Sequence, residues 1–119
     1  MKLVPKPTPE YASFLNALKL ALSDVDIISF GLRIGDEIAV TIRLPNTEHT
    51  LVLIFALTGE LIGTTETVRA SESRGQSLVQ KRFLEICSRV RSNREFFAEF
   101  CRSIQQANFW IHENFEIEF

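Results

Sequence analysis

No stretch of this sequence approaches the ~20 consecutive apolar residues that a membrane-spanning helix requires. The start, Met1-Lys2-Leu3-Val4-Pro5, also lacks the apolar core of a signal peptide, so a soluble chain is expected. Cysteine is scarce. Cys87 and Cys101 are the only two, both inside apolar periodic segments, where thiols act as small hydrophobes; a cytoplasmic location fits them better than a disulfide framework does. There are two histidines, His49 and His112, whereas a catalytic zinc takes at least three protein ligands. Phosphate-loop, nucleophile-elbow, dinucleotide-fingerprint and Cys-x-x-Cys motifs are all missing, so neither a cofactor nor a catalytic residue is assigned. Charge of one sign is lacking as well. Thirteen Lys plus Arg stand against fifteen Asp plus Glu, a balance that steers the chain neither to nucleic acid nor to anionic lipid.

What is present is apolar periodicity. The 119 residues suit one domain, with residues 1–7 as an N-terminal arm broken by Pro5 and Pro7. Thr8 as N-cap and Pro9 at the first helical position open an amphipathic helix whose stripe runs Tyr11, Phe14, Leu15, Leu18, Leu22 and Val25. The period then changes to two. Ile28, Phe30, Leu32 and Ile34 alternate with Ser29, Gly31 and Arg33, and Ile38, Val40, Ile42 and Leu44 alternate with Ala39, Thr41 and Arg43. Paired residues share a sheet face, so even positions must pair with even. That disfavours a two-residue turn and favours a three-residue turn or a bulge, for example Ile34 opposite Ile38 and Phe30 opposite Ile42.

Thr50 to Leu57 is almost continuously apolar, as befits a strand covered on both faces, and Leu61 to Val68 is a weaker, Thr-rich strand suited to a sheet edge. Ser77 with Gln80 and Ser92 with Glu95 form two capping-box signatures, so the helical half is expected as two helices divided near Ser92-Asn93. Phe115, Ile117 and Phe119 alternate with Glu116 and Glu118 and read as a short terminal strand. The fold class is therefore α+β: an N-terminal helix, a four-stranded antiparallel meander, two C-terminal helices and that terminal strand.

The charge balance conceals a basic zone. Residues 69–102 hold eight basic side chains against four acids, while the segments on either side are each net −3. Arg74, Ser77, Lys81 and Arg82 surround a helix start whose free N–H groups favour anions, giving one candidate binding site for phosphate, a nucleotide or an acidic partner. The basic 81–94 surface is a weaker candidate for nucleic acid, because its phenylalanines follow core spacing and the pI lies below neutrality. His112 and Glu116 have helical ligand spacing but no third partner, so no metal is assigned.

The third strand carries the leading expectation. Leu51, Leu53, Phe55 and Leu57 lie on one of its faces and Val52, Ile54 and Ala56 on the other. If helices cover one side, Val52, Ile54 and Ala56 leave an apolar stripe that needs a cover, from within the chain, from a second copy or from a partner protein. The reading that follows is a small non-catalytic binding protein, with an enzyme acting through a sheet–helix pocket as the alternative.

Overall fold

A computed structural model describes residues 9–67 and 76–107. In order they form α1 (Pro9–Ala21), β1 (Asp26–Arg33), β2 (Glu37–Arg43), β3 (Thr50–Ala56), β4 (Leu61–Thr67), α2 (Gln76–Ser92) and α3 (Arg94–Ala107). The strands make one antiparallel sheet in the order β1-β2-β3-β4, and the fold is α+β. Residues 1–8, 68–75 and 108–119 lie outside the described part, and with them the N-terminal arm and the expected terminal strand. Among the described residues no helix is long and apolar enough to cross a membrane.

Pro9 is the first residue of α1, where its missing N–H leaves no bond unmade. The helix ends at Ala21, short of the full apolar stripe, but a turn carries Leu22 and Val25 back onto the core, and both are buried. Leu18 and Leu22 from α1, Phe83, Ile86 and Val90 from α2, and Phe97, Phe100 and Ile104 from α3 all join one cluster with Phe30, Val40, Leu53 and Phe55 of the sheet. All three helices therefore cover the same sheet face. Aromatic rings run through this layer as a chain. Tyr11 stacks on Phe30 with centroids 4.5 Å apart, Phe30 meets Phe100 edge-on at 5.6 Å, Phe100 lies 6.5 Å from Phe97, and Phe97 stacks on Phe55 at 4.8 Å. Such ring pairs add about 0.5–1.5 kcal/mol each beyond the area they bury.

The β1–β2 hairpin keeps the even-with-even rule but shifts the expected register. Phe30 faces Val40 and Leu32 faces Ile38, and Arg33 pairs with Glu37 across a three-residue turn, Ile34-Gly35-Asp36. Gly35 and Asp36 have φ of 96° and 60°, and the turn is built around these two left-handed residues, which glycine and aspartate tolerate best. Ile34 is consequently exposed instead of facing Ile38. The other end of β1 departs too. A bulge falls between Ile27 and Ser29, so Ile27 takes the core-facing side that the alternation assigned to Ile28, and it is Ile27, not Phe30, that stands opposite Ile42.

Two junctions fix the course of the helices. The β3–β4 turn contains Gly59, with φ of 87°, and a Cβ there would sit 2.3 Å from the backbone nitrogen of Ala98 in α3. Only glycine permits so close a contact between turn and helix. Between α2 and α3 the chain breaks at Asn93, as expected, but by a different mechanism from a capping box. Ser92 Oγ donates back to the Ser88 carbonyl at 2.9 Å and Asn93 Nδ2 donates to the Arg89 carbonyl at 3.0 Å, so both side chains close the end of α2.

Candidate interaction site

The second sheet face is built from the odd positions of β1 and β2 and the even positions of β3. Ser29 pairs with Thr41 and Thr41 with Val52; Gly31 pairs with Ala39 and Ala39 with Ile54. Side chains here are small, which follows from the sequence of β1 and β2, and two ion pairs bound the strip. Arg43 reaches Asp26 at 3.3 Å at one end, and Arg33 approaches Glu37 at 3.9 Å at the other. Ala39, Ile54 and Val52 form a cluster of their own that no helical residue joins.

This face is buried within the single chain. Ser29, Ala39 and Thr41 are each 1% exposed and Ile54 is 9% exposed, with Val52 and Ala56 half-buried. The hydroxyls of Ser29 and Thr41, neighbours across the ladder, have no hydrogen-bond partner among the described residues. A buried polar group left unpaired costs about 1–3 kcal/mol, so the pair marks a place where burial has outweighed polar satisfaction. Sequence alternation put both residues on this face, but only the structure shows their hydroxyls sealed from water.

The sheet edge at β4 has the opposite character. Among the described residues β4 has one neighbour, β3, and Thr64, Thr65, Glu66 and Thr67 are exposed. Gly63 faces Ile54 and Leu61 faces Phe55, so Ile62 is bulged out between them and stands 48% exposed.

The four residues expected to bind an anion are distributed differently. Arg74 lies outside the described residues, and Ser77 sits in the first turn of α2, which opens at Gln76. Lys81 is exposed. Arg82 is already engaged, donating to Asp24 Oδ2 at 3.1 Å and lying 3.7 Å from Glu85. Arg89 clamps the same carboxylate with both terminal nitrogens, Nη1 on Oδ1 and Nη2 on Oδ2. The Arg89 hydrogen bond, with help from Arg82, holds the Asp24 carboxyl well below its usual range, at about 2. The bond from Asp24 to Arg89 of α2 spans 65 positions and leaves no local signature in the sequence.

Neither thiol is placed for chemistry. Cys87 and Cys101 are free and buried, and burial raises both, Cys101 to about 12. A surface cleft at the α2–α3 break is lined by Ser92, Asn93, Arg94, Glu95, Phe96 and Ala98, with the Ser92 hydroxyl turned to its own helix. Among the described residues no three His, Cys, Asp or Glu side chains gather in a way that could hold a metal ion. His112 and Glu116 lie outside them. The fold thus defines an α+β domain with an antiparallel sheet and all its described helices on one face. No protein-family model matches the chain, and neither a curated protein nor a solved structure matches it.

Proposed function

We propose that this is a small non-catalytic binding protein, cytoplasmic, that acts by accepting a further strand along β4, the first candidate for that strand being β4 of a second copy. The carrying observation is the state of that edge: seven residues of extended backbone with one strand neighbour among the described residues, exposed threonines and an outward Ile62. An edge of this kind presents alternate N–H and C=O groups to a partner backbone, and threonine is among the residues that pair well across strands. Lysine and proline, which commonly block such edges, are absent from Leu61–Thr67. The bulge at Ile62 limits the pairing length to the Gly63–Thr67 end. Two copies related by a twofold axis at Thr65 would pair Gly63 with Thr67 and Thr64 with Glu66 and keep the two Glu66 carboxylates apart, whereas a twofold axis at Glu66 would oppose them.

The anion-site reading gains less support, since Arg82 is bound to carboxylates of its own chain. Size-exclusion chromatography with light scattering tests the β4 proposal. Dimer formation at tens of micromolar, lost in Thr64→Lys with the melting temperature unchanged, is the expected result. A wild-type chain that remains monomeric at several hundred micromolar overturns the self-pairing.

A further inference from the structure

The β4 edge has one flank of α2 beside it. Glu66 pairs with Leu51, a core residue, so its carboxylate lies on the helix side of the sheet, where it is exposed. On α2, Arg82 and Arg89 form the flank that grips Asp24, just ahead of β1. Leu84 and Arg91 each follow two residues later, roughly 200° around the helix, and so lie on the flank turned away from β1 and toward β4. Cys87 registers how near that flank comes to β4: burial raises its thiol most, the Arg91 cation lowers it and the Glu66 carboxylate raises it. Leu84 is 68% exposed, and Arg91 is exposed as well. Among the described residues neither Arg91 nor Glu66 has an ion pair or a side-chain hydrogen bond.

We infer that a second copy seated on β4 is recognised by α2 as well as by strand pairing, Arg91 of each copy taking the Glu66 carboxylate of the other. This rests on the β4 self-pairing proposed above and adds a charge contact to it. With the twofold axis at Thr65, Glu66 of one copy stands opposite Thr64 of the other, two residues along the edge from that copy's own Glu66. Two strand residues span ~7 Å and neighbouring strands lie ~4.8 Å apart, so the two Glu66 positions come within about 8–9 Å of each other. On their own these two acids repel. An Arg91 from each copy, on the same side of the joined sheet, balances them two to two. The two α2 helices then face one another across the axis, which gives the exposed Leu84 a cover.

Sedimentation equilibrium on the full-length chain tests the contact by charge reversal. Arg91→Glu alone and Glu66→Arg alone should each raise the dimer dissociation constant at least about tenfold, since each homodimer then holds two like-charge contacts. An equimolar mixture of the two variants should return to within about threefold of wild type, because the mixed dimer places opposite charges at both contacts. Recovery of this kind assigns the contact to two chains, as an ion pair within one chain would stay broken in the mixture. A mixture as dissociated as the single variants overturns the inference. Arg102→Glu changes the net charge equally from α3, beyond Phe100, which packs on Phe30 of β1. Its mixture with Glu66→Arg should show no recovery, and recovery there overturns the contact by assigning the effect to net charge. A dimer broken by Thr64→Lys but unchanged by Arg91→Glu overturns the α2 contact and leaves β4 pairing standing, whereas a monomeric wild type removes both.

Discussion

The two faces of the sheet are made by the same four strands and solve the same burial problem in different ways. On the helix face, Phe30, Ile38, Val40, Leu53 and Phe55 are large and fully buried, and Phe30 and Phe55 stack on rings from α1 and α3. On the second face the corresponding positions are Ser29, Gly31, Ala39 and Thr41, small and in part polar, and buried as deeply. Burial alone therefore does not distinguish the two. What differs is what burial contributes: dispersion and ring stacking on one side, and on the other two sealed hydroxyls that work against it.

That contrast can be broken most sharply at Phe97, whose ring stacks on Phe55. Phe97→Ala should lower stability by about 3–5 kcal/mol in denaturant titration, through lost transfer energy and the cavity left behind. Gly59→Ala comes next. Its left-handed φ and the Cβ contact with Ala98 together should cost about 3 kcal/mol, and the melting temperature should fall accordingly. A normal melt for this variant would show that the β3–β4 turn and α3 can separate freely.

The Asp24 clamp sits outside both faces and sharpens the comparison through pH. The carboxyl is depressed in the folded state, so the unfolded chain takes up its proton first. The stabilisation is full above pH ~4 and is lost as pH falls toward ~2. With about a third of the side chain in solvent, screening leaves about 1 kcal/mol. Asp24→Asn should therefore be about 1 kcal/mol less stable than wild type at pH 7 and indistinguishable from it near pH 2; a gap that persists at pH 2 would mean that packing, not charge, is what the substitution removed. The smallest effect is expected on the second face and carries the opposite sign. Thr41→Val replaces an unpaired hydroxyl with a methyl of similar size and should raise stability by up to about 1 kcal/mol. Destabilisation there would reveal a hydrogen bond that the hydroxyl makes in solution.

The helix face was legible in the sequence because periodicity reports it directly: Phe14, Leu18 and Leu22 in α1, and Phe97, Phe100 and Ile104 in α3, repeat at helical spacing and all join the core. The alternation of β1 and β2 likewise sorted even from odd positions. It misplaced Ile28 and Ile34 because the pattern called for a three-residue turn without fixing its exact position, and the bulge near Ile28 leaves no mark in a pattern of apolar letters. The candidate site was legible only in outline. Val52, Ile54 and Ala56 were assigned correctly to one side of β3, but the pattern on β3 is apolar on both sides and gives no indication of which side the helices take.

Local chemistry and period by themselves determined the kinds of element, their order and the even-to-even hairpin, since each depends on residues close together in the chain. Tertiary structure decided the rest, because the deciding partners are far apart in sequence. Asp24 was matched to Arg82 and Arg89 across about sixty positions, Gly59 was pressed against Ala98, and the helices were gathered on the Phe30 face, leaving Ser29 and Thr41 to be buried on the other.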